Sequence, residues 1–302
     1  MENIDLSFGI KEKIREVKLE NIAIGGNSAR SFMKENNNSA KPFLAIEIPY
    51  ILDNTYPEIL KKEWGCDNCE QMLKKAQNIG ADIISIKFNL AEDNVDDKLE
   101  GVKEFLKTVV SKVKTPLILR GANNDPVDFK LLPLLAENAP KQCIISFAQE
   151  TTYEKIVPVV AKQGHIIVLR SPIDINLAKE LNILSIDKGI EPEKILIDPD
   201  MGGLGYGLDY GYSIIEKVKQ AAFDGDTMLN MPVIAFIGEE SYRAKEAKSD
   251  TFSSQWGDYE KRAAMWEIAG ASAMVSAGAD VVVLWNPKSI KAMKSVFESE
   301  VK

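Results

Sequence analysis

The stretch ILIDPDMGGLGYG, residues 195–207, decides the fold of this chain. It reads as a short β-branched strand, an Asp198-Pro199 step, and then Gly202, Gly203, Gly205 and Gly207 within six residues. Glycine takes positive φ without steric cost and lets backbone lie close against a bound surface. A strand running into such a loop, with a helix after it, is the unit with which α/β proteins build ligand sites.

Working outward, the same unit recurs. Strand candidates are FLAIEI (43–48), DIISIKF (82–88), PLILR (116–120), QCIISF (142–147), HIIVLR (165–170), KILID (194–198), PVIAFI (232–237) and DVVVLW (280–285). Helical spacing separates them, as with Phe105, Val109, Val110 and Val113. Continuous apolar strands between helices mean a parallel sheet covered on both faces. Eight such units over about 250 residues predict a (β/α)8 TIM barrel, of class α/β, over residues 43–302. The steps Gly80-Ala81-Asp82 and Gly278-Ala279-Asp280 lead from helix to strand, with glycine at the helix C-cap. Residues 1–42 form an N-terminal extension, in which IREVKL and ENIAIGG predict a β-hairpin under the barrel. Asn36 to Ser39 reads as a surface loop.

Composition narrows the function. Lys and Arg total 37 against 45 Asp and Glu, a net charge of −8, which lacks the basic footprint that nucleic acid requires. No apolar run reaches the roughly 18 residues of a membrane span, and the N-terminus is not a signal peptide. Three cysteines fit a reducing cytoplasm. His165, the one histidine, opens a barrel strand at the end away from barrel chemistry and reads as structural. Cys66 and Cys69 are half a metal site, and only Cys143 remains, inside a strand, so no metal is expected.

Several motifs carry chemistry. The glycine loop is G-x-G-x-G, not a dinucleotide fingerprint, and with Tyr206, Tyr210 and Tyr212 it reads as a contact surface. Ser171-Pro172-Ile173-Asp174 reads as a helix start with Ser171 as N-cap, leaving Asn176 near the mouth. Asp198, Asp200, Glu239 and Glu240 sit at strand ends, with Glu47 inside the first barrel strand, and a pair of acids across a barrel mouth serves glycoside hydrolysis. Lys87 on the second barrel strand has the placement of a Schiff-base lysine. Both enzyme readings are weaker than a binding role, since barrels carry such residues at strand ends by chance.

Four long stretches resemble one family: SPIDINLAKELNILSIDKG (171–189), KILIDPDMGGLGYGLDYGYSIIEKV (194–218), MLNMPVIAFIGEESYRAKEA (228–247) and WGDYEKRAAMWEIA (256–269). The chain resembles the small, delta-type subunit of the corrinoid iron–sulfur protein of the acetyl-CoA synthase/decarbonylase system. The resemblance implies a TIM barrel paired as a heterodimer with a large subunit that carries the iron–sulfur cluster and a corrinoid-binding domain. It implies a corrinoid (cobalamin-type) cofactor held between that domain and the barrel mouth, with no cluster in this chain. Methyl groups would come from methyltetrahydrofolate through a separate methyltransferase and pass to CO dehydrogenase/acetyl-CoA synthase, in the reductive acetyl-CoA (Wood–Ljungdahl) pathway. The expected role is a non-catalytic cover, with cofactor contacts from Ser171, Asp174 and Asn176, from Gly202, Gly203, Leu204, Gly205 and Tyr206, and from Gly238 and Glu239.

The competitor is a free-standing methyltetrahydrofolate:corrinoid methyltransferase on the same barrel. Such enzymes carry an Asp-Val-Asn element on their second strand, where this chain has Ser85-Ile86-Lys87. They place an asparagine after strand seven, where this chain has Gly238-Glu239-Glu240-Ser241. One departure from the delta-type pattern is SFMKENNNSAKPF (31–43) in place of a proline-rich segment before the first barrel strand.

Overall fold

A computed structural model describes residues 12–28, 41–200 and 207–299 of the chain. Strands β1 (Glu16–Leu19) and β2 (Ile22–Gly25) pair antiparallel around a two-residue turn in which Glu20 takes φ +52°. Eight parallel strands follow: β3 (Phe43–Pro49), β4 (Ile83–Lys87), β5 (Leu117–Arg120), β6 (Ile144–Ala148), β7 (Ile166–Arg170), β8 (Ile195–Asp198), β9 (Ile234–Phe236) and β10 (Val281–Leu284). Each falls on a strand expected from the sequence. Their order is β8-β7-β6-β5-β4-β3-β10-β9. The two ends meet in a parallel bridge between Ile197 and Val233, where Ile197 N–H donates to the Pro232 carbonyl at 2.9 Å. The sheet is therefore a closed barrel.

The helices surround it. They are α1 (Glu58–Trp64), α2 (Cys69–Ile79), α3 (Val95–Thr108), α4 (Asp125–Asn138), α5 (Tyr153–Gln163), α6 (Ile175–Asp187), α7 (Leu208–Phe223), α8 (Ile237–Arg243), α9 (Lys245–Lys248), α10 (Tyr259–Ala277) and α11 (Pro287–Ser299). Strand residues alternate between two cores, as the period of two demands. Leu44, Ile46, Ile84, Leu119 and Ile197 pack outward on the helices. Ala45, Ile83, Ile118, Ile144, Leu196, Ile234 and Val281 fill the lumen, and Val17, Leu19 and Ile24 of the hairpin join them from below. The expected hairpin thus closes the amino-terminal end of the barrel.

The two Gly-Ala-Asp steps do the same structural work twice. Gly80 and Gly278 end α2 and α10 in the left-handed conformation, at φ +86° and +117°. The aspartate then reaches across to a neighbouring strand. Asp82 accepts from Leu44 N–H at 2.9 Å, and Asp280 accepts from Val233 N–H at 2.6 Å. Asp280 also pairs with Lys219, whose side chain is 1% exposed. Burial lowers the Lys219 pKa, and Asp280 opposes that shift. His165 lies buried at the same end, its Nε2 against the Ala136 carbonyl at 2.9 Å and its Nδ1 near Cys143 N–H at 3.3 Å, which is the structural role expected.

Removing one partner of a buried ion pair strands the other, which costs about 3–5 kcal/mol. Asp280→Ala is therefore expected to lower the urea unfolding midpoint by that equivalent. Lys219→Met in the same background is expected to recover part of the loss, which a double-mutant cycle measures.

Candidate functional site at the carboxyl end of the barrel

Moving up the lumen, the inward residues change from apolar to ionic within one pleat. Glu47 follows Ala45, Ser85 and Lys87 follow Ile83, Arg120 follows Ile118, and Asp198 follows Leu196. Arg120, 1% exposed, lies at the centre. Its Nη1 donates to Glu47 Oε1 at 2.7 Å and its Nη2 to Glu239 Oε2 at 2.5 Å. The guanidinium also lies 4.4 Å from the centre of the Phe236 ring, a cation–π contact. Beside it, Arg170 Nε donates to Asp198 Oδ2 at 2.7 Å while its guanidinium sits 3.5 Å from the Phe147 ring centre.

Every carboxylate near the centre is engaged. Glu47 accepts from Ser85 Oγ at 2.8 Å and from the Trp285 indole N–H at 2.9 Å, besides Arg120. Glu239 accepts from Lys87 at 2.8 Å and from Arg243 at 2.5 Å. Glu240 pairs with Arg243 at 2.7 Å, and Asp200 lies 3.7 Å from Arg170. Burial disfavours charge on Glu239, but Arg120, Lys87 and Arg243 outweigh it and hold this carboxyl well below the usual range. Burial lifts the Asp198 carboxyl against the pull of Arg170. Lys87 is lowered by burial first and by Arg120 next, with Glu239 and Glu47 opposing. A Schiff-base lysine needs a free amine, whereas Lys87 is tied to Glu239. The acids expected at strand ends are real neighbours, yet they serve internal pairs.

The expected contact residues fall into three groups. Gly202, Gly203, Leu204, Gly205 and Tyr206 lie outside the described residues. Among the described residues, Leu208 and Tyr210 at the start of α7 are 39% and 53% exposed, and Ile173 after β7 is 39% exposed. Near Ile173 the helix start differs from expectation. Asp174, not Ser171, is the N-cap of α6, accepting from Asn176 and Leu177 N–H at 2.8 and 3.1 Å. The reason is local: Ser171 N–H is bound to the Asp198 carbonyl and Ile173 N–H to the Pro199 carbonyl, both at 2.9 Å, so the chain stays tied to the β8 loop before turning. Ile173 sits at φ +50°, a strained choice for a β-branched residue. Asn176 is exposed and Ser171 is buried. Gly238 is buried in α8 against Trp285, where an added Cβ would stand 2.6 Å from indole Cδ1, so only glycine fits.

Sequence reasoning missed Arg120, Arg170, Trp285 and Glu267. The first two end the apolar runs PLILR and HIIVLR, and a charge at the last inward position of a barrel strand was the available signal. Glu267 left none. Fully buried in α10, it accepts from Trp285 and Asn286 N–H at 2.6 and 3.2 Å and so holds the start of α11 beneath Trp285. Burial pushes its carboxyl up to about 7, against the hydrogen bonds from the Trp285 and Asn286 N–H groups. Trp285 is flanked by Tyr242, stacked at 6.1 Å, and Tyr56 at 5.5 Å. Cys69 begins α2, its thiol pushed up to about 12 by burial, and Cys66 Sγ donates to the Trp64 carbonyl at 3.3 Å.

Fold and site together define a TIM barrel whose mouth is closed by its own salt bridges, with exposed apolar side chains on one rim. The chain belongs to the CO dehydrogenase/acetyl-CoA synthase delta subunit family, which it matches over residues 8–296. It is similar to subunit delta of the acetyl-CoA decarbonylase/synthase complex of Archaeoglobus fulgidus, with 30% identity over 246 residues, covering 77% of this chain and 53% of that protein. The subunit of the same name from Methanocaldococcus jannaschii is 29% identical over 233 residues, covering 76% and 57%. That of Methanopyrus kandleri is 25% identical over 284 residues, covering 92% and 70%. The chain thus spans between about half and about two thirds of the length of these curated relatives. Among solved structures, the fold is similar to dihydropteroate synthase of Yersinia pestis, with TM-score 0.57 and 12% identity over 96% of this chain and 100% of that one. Dihydropteroate synthase of Coxiella burnetii in complex with pteroic acid gives 0.55 and 15% over 95% and 98%. At such identities the likeness is one of fold.

Arg120→Met would leave Glu47 and Glu239 buried with one cation fewer, a loss of about 3–5 kcal/mol readable by chemical denaturation. Arg120→Lys is expected not to restore it, because an ammonium cannot bridge two carboxylates in the planar fork. For Glu267, the folded pKa of about 7 lies above the ordinary 4.5. Its contribution is therefore fully present below pH 4.5 and lost as pH rises through 7. The stability of the wild type minus that of Glu267→Gln is expected to grow as pH falls from 8 to 5, by about 3 kcal/mol at most, in paired urea titrations.

Proposed function

We propose that this chain is the barrel subunit of a corrinoid iron–sulfur methyl carrier, a non-catalytic wall that covers the corrinoid of a larger partner. The observation that carries this reading is the ion-pair network: among the described residues, Glu47, Asp198, Glu239 and Glu240 at the mouth are each paired with an arginine or lysine. Family membership supports the same assignment, as do the relatives named as subunits of the acetyl-CoA decarbonylase/synthase complex. The wider setting, with a methyltetrahydrofolate-dependent methyltransferase on one side, CO dehydrogenase/acetyl-CoA synthase on the other, and a cytoplasmic location, belongs to the proposal. Among the described residues no helix is long and apolar enough to cross a membrane.

The donor set suits a cover. Among the described residues no group of three His, Cys, Asp or Glu is arranged to hold a metal. The one histidine lies buried at the opposite end of the barrel. A cobalt ligand from this chain is thus not expected, and the corrin would be met through its face and edge. When bound, a corrinoid supplies a cobalt centre that takes up and releases the methyl group. Ile173, Leu208 and Tyr210 would give that face an apolar wall and keep water away. Gly202, Gly203, Leu204, Gly205 and Tyr206 would add their own contacts, with Ser171, Asp174 and Asn176 on the α6 side and Gly238 and Glu239 on the α8 side. In this reading Asp174 acts by capping α6, and Glu239 by anchoring α8 over the lumen.

A methyltransferase reading is disfavoured by the second barrel strand. Ser85 donates to Glu47 and Lys87 to Glu239, and neither is the carboxylate or amide that an Asp-Val-Asn element would present. The decisive experiment is anaerobic co-purification of the native chain. A larger partner bringing corrinoid and iron–sulfur absorption supports the proposal. A colourless solitary chain that binds methyltetrahydrofolate overturns it. In the assembled complex, Ile173→Asp is expected to speed oxidation of the reduced corrinoid several-fold, measured by absorption after an oxygen pulse, without changing the fold.

A further inference from the structure

Opposite the β7–β8 rim, the barrel mouth contains a cavity of about 50 Å³ between β3, β4 and β10. Glu47, Thr55, Tyr56, Lys87, Asn89 and Trp285 line it. A single water needs roughly 10–15 Å³ of such space, so the cavity admits a group of a few heavy atoms and excludes a pterin or any larger ring.

The hydrogen-bonding groups on its walls specify that group. The Lys87 ammonium has three donors. One goes to Glu239 at 2.8 Å, which leaves two N–H groups. Thr55 Oγ1 donates to Asp53 Oδ1 at 2.6 Å and keeps lone pairs to accept. Glu47 is held by Arg120, Ser85 and Trp285. Asn89 is held by both backbone groups of Ile51. The site therefore asks for an acceptor toward Lys87 and a donor toward Thr55. Charge sharpens the choice. Lys87 and Arg120 are already balanced by Glu47 and Glu239, so a carboxylate would bring an uncompensated charge into a half-buried site. A neutral ligand brings none. The rings of Trp285 and Tyr56, with centres 5.5 Å apart and planes inclined at 36°, add aromatic surface to its walls.

We infer that this cavity is a receptor for a primary carboxamide, and that its occupant is one of the carboxamide arms at the edge of the corrin ring. The occupant rests on the corrinoid reading above; the amide pocket does not. The pocket would fix the rotation of the macrocycle over the barrel, while the apolar rim across the mouth meets its face.

The test uses the full chain labelled with 15N. Its four tryptophans give four indole N–H signals, and Trp285→Phe assigns the one hydrogen-bonded to Glu47. Acetamide is expected to shift that signal saturably in the millimolar range, and acetate at equal ionic strength at least tenfold more weakly. Thr55→Phe, a change at the exposed rim that leaves the ion pairs in place, is expected to abolish the shift, as is Lys87→Met. Dicyanocobinamide, whose ring edge carries such arms, is expected to displace acetamide. If acetamide leaves the signal unmoved, or acetate acts equally, the pocket is refuted. If cobinamide binds and acetamide stays, the occupant alone is refuted and the corrinoid reading survives. If acetamide binds but neither this chain nor its native complex binds a corrinoid, the corrinoid reading fails and takes the occupant with it.

Discussion

The Arg120 guanidinium, buried between Glu47 and Glu239, is the interaction on which the carboxyl end of this barrel depends. It joins β3, β5 and α8, three elements that share no backbone hydrogen bonds, across the lumen. A guanidinium out of water costs several kcal/mol unless its charge is met. Here it is met twice, and the ring of Phe236 beneath takes up part of the remainder. Because Glu239 also receives Lys87 and Arg243, the first turn of α8 is drawn down over the barrel instead of standing clear of it.

The rest of the mouth follows from that placement. With α8 drawn inward, Gly238 must lie directly against Trp285, and nothing larger than glycine fits. Trp285 in turn needs a fixed backbone, which Glu267 supplies by accepting its N–H from within α10. The indole then returns its own N–H to Glu47, closing a circuit from the outer helix layer through the lumen to the starting ion pair. A circuit of this kind is rigid because each member satisfies the next, and a half-satisfied one would be worse than an apolar core.

How much of this was legible in the sequence depended on the kind of signal. The eight strands were readable because burial on both faces leaves unbroken apolar runs such as DIISIKF and DVVVLW, and the hairpin because IREVKL alternates. The Gly-Ala-Asp steps were readable as C-caps, although the reach of Asp82 and Asp280 to neighbouring strands was not, since that is a property of the closed sheet. At the mouth, Asp198 and Glu239 could be picked out as charges at strand ends, and Glu47 and Lys87 as charges within strands. Which pairs with which depends on distances across the lumen that no local pattern encodes. The displaced start of α6 has the same origin. Ser171-Pro172 is a sound helix start taken alone, but hydrogen bonds to Asp198 and Pro199 on the next strand postpone the helix by three residues.

In the proposed assembly, a mouth in which these charges cancel internally would suit a wall better than a catalyst. General acid–base work needs a group whose proton can leave near the working pH, and here Glu239 is held far below that range while Lys87 is tethered to it. For a protein that covers a flat reactive cofactor, the same arrangement is an advantage. Its central carboxylates are already paired, so covering the cofactor would require little reorganisation of them, and the rim would offer apolar side chains. Ile173 fits this logic from the other direction. At φ +50° and 39% exposed, Ile173 ties its backbone N–H to the Pro199 carbonyl while its β-branched side chain gains little burial there. Strain that the surroundings enforce at a rim is the mark of a side chain presented to something outside the chain. The buried ion pairs join strands and helix across the mouth, and in the proposed assembly the strained rim would supply the contact.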